Sequence, residues 1–138
     1  MISLIHKFLS LKEKRGLQLA KKINSASIIT ASGNKPKKIE EFIGKVNSNT
    51  GSISVARMKS PSGWIEPAQK PEFDEYTLVL KGTLNVKTEN ENFDINENEA
   101  VIVSKNEWVQ YSTPGPEGAE YIAICLPAFS PDIVHRED

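Results

Sequence analysis

The side chains best suited to chemistry in this sequence lie in the stretch 63–82. A polar loop there carries carboxylates and an amide before the chain enters residues 76–80, whose aromatic and branched content is typical of a strand. The polar residues of this loop are Glu66, Gln69, Glu72, Asp74 and Glu75. Carboxylates on a loop that enters a buried strand commonly build a pocket, because the sheet holds them rigidly. We therefore expect a site at this junction.

Glu75 is the centre of the predicted chemistry. If it points inward, strand alternation sends Thr77 inward as well, and a half-buried aromatic setting raises the pKa of the carboxyl into the range for acid–base catalysis. We predict Glu75 and Tyr111 as catalytic residues. The residues predicted to bind a ligand beside them are Trp64, Glu66, Gln69, Thr77, Gln110 and Tyr121. The alternatives are structural: core positions for the aromatics, solvated positions for the loop residues, and a plain hydrogen bond from Tyr111 for Glu75.

Period-2 patterns and turn signals indicate the elements that hold this site. Residues 52–58 alternate polar and apolar, and further strand-like runs follow at about 8–12-residue spacing. These runs are 76–80, 84–88, 93–95, 100–103, 108–112 and 120–126. Residues 27–30 fit a short edge strand, and residues 37–42 fit a single helical turn. The sequence therefore predicts an antiparallel, all-β sandwich or barrel.

Three regions are expected along the chain. Residues 1–24 form a helical N-terminal arm, in which Ser10 opens a Ser-x-x-Glu capping box and Leu17, Leu19 and Ile23 fit a second short helix. Residues 25–126 form the barrel, and residues 127–138 form a tail on its surface.

Composition bounds the remaining classes. The 138 residues fit one domain. The single cysteine, Cys125, cannot form an internal disulfide. No apolar run indicates a membrane span, and no leader signal indicates secretion. We expect a cytoplasmic protein without a membrane partner. Residues 1–50 hold 10 Lys/Arg and 3 acids (10 − 3 = +7), whereas residues 51–138 hold 7 and 15 (7 − 15 = −8). Because the basic half lacks interleaved aromatics, we read it as a solvated face and expect no nucleic-acid partner.

The stretch 63–82 resembles the first cupin motif. Gly63 stands at its opening glycine, and Glu75, six residues and Gly82 match its end; residues 98–109 follow the spacing of the second motif. The resemblance covers about residues 50–126 and implies a double-stranded β-helix, the jelly-roll barrel, with a pocket inside. Residues 73–76 are also similar to the ethanolamine-utilization cupins, which implies phosphoryl or acyl transfer with Mg²⁺.

The cupin metal ligands are mostly replaced here. The positions of the motif histidines fall at Gln69 and Pro71, or at Ala68 and Lys70 with the shorter spacing, and the second-motif histidine falls at Val109 or Gln110. Only Glu75 remains as a strong ligand, so tight binding of a transition metal is not expected without further donors such as His135. The resemblance leaves no certain cofactor. It allows a weakly bound divalent cation at Glu75, Gln69 and Glu66.

The function expected from this pattern is the binding of a small polar metabolite in the barrel. Acid–base chemistry at Glu75, of the isomerase, epimerase or lyase kind, would accompany it. The alternatives are a non-catalytic dimeric binding or interaction module and a metal-dependent cupin enzyme with non-standard ligands. The expected partners are a small-molecule ligand and a second copy of the chain, because small cupins commonly pair and so protect edge strands.

Overall fold

Residues 19–138 are described by the computed structural model. Their regular secondary structure consists of strands, followed by one short helix in the tail, α1 (Pro131–Val134). The strands are β1 (Ser27–Ile29), β2 (Lys38–Ile43), β3 (Ser54–Ser60), β4 (Trp64–Ile65), β5 (Asp74–Gly82), β6 (Leu84–Thr88), β7 (Asn92–Ile95), β8 (Ala100–Val103), β9 (Val109–Thr113) and β10 (Ala119–Leu126). The all-β prediction is confirmed.

The strands form two antiparallel sheets that enclose the interior. The larger sheet has the order β1-β2-β3-β10-β5-β8, and the smaller has the order β4-β9-β6-β7. Strand β5 pairs with β10 on one side, where Glu75 lies opposite Cys125, and with β8 on the other, where Glu75 lies opposite Val103. Glu75 therefore lies on the second strand from one edge of the larger sheet, where paired neighbours on both sides fix its position.

A tight turn at Gly82 joins the two sheets. Its φ is +71°, and a β-carbon at this position would lie 2.1 Å from the Gly118 carbonyl oxygen. Only glycine meets both demands without strain. The glycine that ends the motif is thus explained by a close approach of two backbones.

Alternation along each strand fills the interior. The buried cluster contains Leu84 and Val86 of β6 together with Val79, Val101, Val103 and Val109, and Trp64 and Tyr121 belong to it. Each fully buried side chain of this size stabilises the fold by about 1.5–3 kcal/mol. A smaller cluster of Phe73, Cys125 and Val134 lies where the tail returns. Cys125 is a buried free thiol.

Two local predictions are wrong. Residues 38–43 form strand β2 instead of a helical turn, because β2 pairs with β1 and β3 and this non-local pairing outweighs the helix preference of lysine and glutamate. Residues 19–26 have no helix, so the second short helix predicted through Leu19 and Ile23 does not form in this part of the chain. The rest of the predicted arm, 1–18, lies outside the described residues. No helix among residues 19–138 is long and apolar enough to cross a membrane.

Candidate functional site

Glu75 is buried on the inner face of β5, where side chains from the paired strand β10 and from β9 of the other sheet contact its carboxyl group. Tyr111 Oη donates a hydrogen bond to Glu75 Oε1 at 2.8 Å, and the Cys125 thiol donates to Oε2 at 3.7 Å. Burial raises the pKa of the Glu75 carboxyl, and the bond from Tyr111 opposes that rise. Burial and the nearby Glu75 hold the pKa of Tyr111 well above its ordinary value. Tyr111 is therefore a neutral donor, and the hydrogen bond foreseen as the structural alternative is present.

Glu66 is the second buried carboxyl of the site and follows directly on β4. Its backbone N–H donates to the Tyr111 carbonyl at 3.3 Å, and Gln110 Nε2 donates to the Glu66 carbonyl at 3.1 Å. Burial raises the pKa of Glu66 to about 7, with Lys37 acting against the rise and Glu75 adding to it. A carboxyl with this pKa can accept or release a proton at neutral pH.

Lys37 brings a positive charge to one side of these carboxyls. Its Nζ lies 4.0 Å from the ring centroid of Trp64 and 5.2 Å from that of Tyr121. The charge lowers the pKa values of both Glu66 and Glu75, so it acts on both groups. The aromatic platform holds the ammonium group at the edge of the interior.

Arg136 brings a second positive charge from the C-terminal tail. Its Cζ lies 5.4 Å from the ring centroid of Phe129, and the backbone bridge between Gln69 and Arg136 fixes the tail beside the loop. Arg136 Nε and Gln69 Oε1 are both buried without a hydrogen-bond partner among the described residues. Buried polar atoms rarely stay unpaired, so both are suited to meet water or a ligand group.

A cavity of about 60 Å³ lies between these groups. Its polar lining includes Lys37, Glu41, Glu66, Gln69, Glu75, Thr77, Tyr111, Tyr121 and Arg136, and apolar side chains such as Ala56, Met58 and Phe129 contribute to the wall. A space of this size holds a few water molecules or one functional group of a larger ligand. Three carboxyls, those of Glu41, Glu66 and Glu75, and two cations, those of Lys37 and Arg136, line it.

The structure brings most of the predicted site residues together. Glu66, Gln69, Glu75, Thr77, Tyr111 and Tyr121 all line the cavity. Trp64 and Gln110 do not line it: Trp64 is fully buried, and its Nε1 donates to the Ser32 carbonyl at 3.2 Å, while Gln110 supports the loop backbone. The catalytic and binding roles assigned to these residues stay predictions.

Lys37 and Arg136 are the residues that sequence reasoning missed. Lys37 lies in a lysine-rich stretch that reads as a turn. In the tail, the residue considered as a possible metal donor is His135, and Arg136 beside it carries no signal. His135 lies at the surface, where its Nε2 is 2.6 Å from Glu72 Oε2. No local motif marks either cation, because both come from segments that reach the cavity only when the barrel closes.

The donor set does not fit the metal that the cupin resemblance implies. Among residues 19–138 no three histidine, cysteine or acidic side chains lie together as a metal-binding group. Lys37 and Arg136 also place positive charge where a cation would bind. We derive no step through a metal ion, and the weakly bound divalent cation at Glu66, Gln69 and Glu75 stays a prediction.

Solved structures with the same arrangement of strands support the fold. A Streptomyces protein determined with uridine matches at a TM-score of 0.67 and 14% identity, covering 88% of this chain and 92% of that one. A cupin domain from Schizosaccharomyces pombe matches at 0.59 and 13% identity, with coverage of 71% and 69%. The fold is a cupin jelly roll. A putative ethanolamine utilization protein from Salmonella typhimurium also matches, at 0.58 and 14% identity over 75% of this chain and 97% of that one.

One curated relative shares much more sequence. It is named endoribonuclease YbeY, from Myxococcus xanthus, and is 44% identical over 101 residues, or 73% of this chain. The chain spans about a third of that relative's length, since the match covers 34% of it. No protein-family model matches the chain.

This relative overturns two expectations. A protein named for RNA cleavage conflicts with the predicted binding of a small polar metabolite with isomerase-like chemistry at Glu75. It also contradicts the expectation that nucleic acid is not a partner, and the predicted small-molecule and second-copy partners are not shown. The exclusion rested on missing aromatics among the basic residues of 1–50. The absence of aromatics along one stretch of sequence says nothing about a basic surface whose lysines come from distant segments and meet only after folding.

Proposed function

We propose that this protein acts in cytoplasmic RNA processing, as a cupin-fold module that binds RNA for endoribonucleolytic cleavage. The observation that carries the proposal is the 44% identity over 101 residues to a protein named an endoribonuclease. Because two thirds of that relative have no counterpart in the match, the cleaving residues need not lie in this chain, and binding is the contribution proposed for it.

The charges around the cavity suit a contact with the RNA backbone. Lys37 and Arg136 supply two cations, and the raised pKa of Glu66, about 7, keeps part of the opposing carboxyl charge neutral near pH 7. Phosphate contacts from lysine and arginine supply most of the affinity in sequence-independent binding of nucleic acids. The cavity is too small for a nucleotide and large enough for one of its groups. RNA would therefore lie across the cavity mouth and insert one group.

One neighbour of the same fold shows that a jelly roll can hold an RNA building block. The Streptomyces protein was determined with uridine, so a jelly roll of this kind holds a ribonucleoside there. At 14% identity the likeness concerns the fold alone, and the RNA proposal for this chain rests on the curated relative.

The test measures binding of a fluorescent single-stranded RNA by anisotropy, with the same sequence in DNA beside it. We expect a Kd in the range of about 1–100 µM at physiological salt for wild type. Lys37→Met, which keeps the apolar stem over Trp64, should weaken binding by roughly tenfold, since one charge-assisted contact is lost. Lys87→Met, an exposed change on β6, is the matched control and should bind as wild type does. An anisotropy that stays flat up to about 100 µM wild-type protein would overturn the proposal.

One observation favours a second candidate, cleavage of RNA by the chain itself. Glu66 has a pKa of about 7, and Glu75, with a raised pKa, influences it across the same cavity. Charged Glu66 could accept the proton of a ribose 2′-hydroxyl, whose oxygen then attacks phosphorus. The bond from phosphorus to the 5′-oxygen breaks, and that oxygen takes the proton of neutral Glu75, which Tyr111 positions. The products would be a 2′,3′-cyclic phosphate and a 5′-hydroxyl.

Cleavage is tested with an oligoribonucleotide in excess EDTA. This candidate predicts cyclic-phosphate products from wild type, a loss of at least about 100-fold in Glu66→Gln and Glu75→Gln, and no cut at a residue that carries 2′-deoxyribose. RNA that is bound by wild type and stays intact would eliminate the second candidate and leave the first in place.

A further inference from the structure

A row of charged residues crosses the outer side of the larger sheet near the cavity mouth. Lys38 of β2 lies opposite Lys59 of β3, Lys59 lies opposite Glu120 of β10, and Glu120 lies opposite Lys81 of β5. Four adjacent strands therefore contribute three lysines and one glutamate to one line. With strands about 4.8 Å apart, the line is roughly 14 Å long.

These lysines lie in a surface groove of about 580 Å³. Its walls include Lys37, Lys38, Lys59, Lys81, Glu117 and Glu120, with Pro36, Pro61 and Ala119 between them. Four lysines stand against two glutamates, so the groove has a net charge of +2. Lys37 lines both this groove and the inner cavity, so the two spaces meet at its side chain.

The placement of the lysines is unfavourable for the isolated fold. Like charges directly opposite on neighbouring strands repel, as Lys38 and Lys59 do. Lys38 has Glu40 at 3.9 Å, whereas neither Lys59 nor Lys81 has a carboxylate within ion-pair distance in the part of the chain that the structure describes. Three exposed lysines around one glutamate leave this line with a net positive charge, which is suited to a bound polyanion.

We propose that this groove is the path of the sugar–phosphate backbone of single-stranded RNA, which reaches the cavity at Lys37. The inference rests on the proposed RNA-binding function and adds the surface that carries it. A line of roughly 14 Å is short beside the footprint of domains that bind duplex RNA, which span about 16 base pairs. The groove therefore fits a few phosphates of one strand.

The test compares two double variants with equal charge change. Lys59→Gln/Lys81→Gln alters the groove, and Lys87→Gln/Lys105→Gln removes two exposed lysines elsewhere. RNA affinity is measured by anisotropy at several salt concentrations. For the groove variant we expect a loss of roughly 10–100-fold at low salt and a fall of about 1.4 in the slope of log K against log salt, or 0.7 for each lost phosphate contact. The control variant should keep the wild-type affinity and slope.

The outcomes distinguish a failure of the groove proposal from a failure of the RNA-binding function on which it rests. Wild-type RNA binding that the groove variant retains in full would overturn the path and leave RNA binding intact. Wild type that fails to bind RNA would remove both. Loss of binding to phosphatidylserine vesicles in the groove variant, with RNA binding unchanged, would show that the groove meets a membrane surface and would overturn the RNA path. Both variants lie on exposed positions, and circular dichroism verifies that they fold.

Discussion

Strands β5 and β6 follow each other in the chain and bury opposite kinds of side chain. Strand β6 buries Leu84 and Val86 and exposes Lys87, as a half-buried strand is expected to do. Strand β5 buries Glu75 and Thr77, and places Tyr76 and Leu78 on the outside with 38% and 44% of their surface exposed. Only at Val79 does β5 bury an apolar side chain.

The difference distinguishes a strand that builds the core, β6, from a strand that contributes to the site, β5. Inward apolar residues of β6 build the core, whereas the inward carboxyl of β5 costs stability unless a donor such as Tyr111 or a ligand offsets its desolvation. A strand that gives up apolar burial at two consecutive inward positions is typical of a functional surface. Substitutions on the two strands should therefore differ in their effect on folding and on its pH dependence.

The largest effect is expected in the scaffold strand. Leu84→Ala removes a fully buried side chain and should lower the free energy of unfolding by about 2–5 kcal/mol, because transfer and cavity terms add. Urea denaturation measures it. Lys87→Ala, exposed on the same strand, should change the value by under about 0.5 kcal/mol. A loss below about 1 kcal/mol in Leu84→Ala would place the core elsewhere.

The next effect concerns the pH dependence of the site. Burial raises the folded-state pKa of Glu66 from 4.5 to about 7, so the folded state binds this proton more tightly than the unfolded state does. The stabilisation of the folded state by this bound proton is complete below about pH 4.5 and is lost as the pH rises to about 7. Relative to Glu66→Gln, wild type should lose roughly 2–4 kcal/mol across that window, and Glu75 shifts stability in the same direction.

Urea unfolding of wild type and Glu66→Gln at several pH values between 4.5 and 7.5 measures this loss. Glu107→Gln serves as the control, because Glu107 is an exposed carboxyl on a turn and its removal should keep the wild-type pH dependence. Parallel curves for wild type and Glu66→Gln would show that Glu66 is solvated in the folded state, and the pH dependence of the site would then have to come from Glu75 of β5.

The same contrast explains how much of the fold the sequence predicts. Period-2 alternation locates β5, β6 and β9 and correctly sends Glu75, Thr77 and Val79 inward, because register along one strand is a local property. The jelly roll follows from the strand rhythm and the cupin spacing. Strand β2 is not predicted from the sequence, because its run of lysine, isoleucine and glutamate fits a helix and a strand equally well. Its pairing with β3 decides in favour of the strand.

The site is predictable only as far as β5 and its loop determine it. Glu66, Glu75 and Tyr111 can be placed together, since motif spacing and strand alternation bring their segments to one interior. Lys37 and Arg136 cannot, because each enters from a region that reads as turn or tail. The lysines of the groove, spread from 37 to 81 in sequence, meet by strand pairing, which no window of neighbouring residues reveals.

A smaller effect should follow from removing the donor that supports β5. Tyr111→Phe deletes the 2.8 Å hydrogen bond to Glu75 and should cost about 1–3 kcal/mol. The cost should be greater at pH 8 than at pH 5, because the charged carboxyl gains most from the bond and its pKa rises further without it. Tyr121→Phe, which loses the 3.0 Å contact with Ser60 Oγ and leaves Glu75 untouched, is the control for removing a buried hydroxyl. Equal losses for Tyr111→Phe at both pH values would show that Glu75 stays neutral throughout.

The smallest effect is expected on the outer face of β5. Leu78 is 44% exposed, whereas its neighbour Val79 is fully buried, so the two positions test the two faces of one strand within a single peptide step. Leu78→Gln should change the free energy of unfolding by under about 0.5 kcal/mol, because a side chain that keeps its contact with water loses little on becoming polar. Val79→Ala should cost at least about 1 kcal/mol through the cavity it leaves. Urea denaturation of both variants measures the two losses in the free energy of unfolding.

A loss above about 1 kcal/mol in Leu78→Gln would mean that the outer apolar face is covered in solution, since only a buried leucine contributes that much free energy. The exposed apolar side chains of β5 would then belong to an interface, and the strand would bear function on both of its faces.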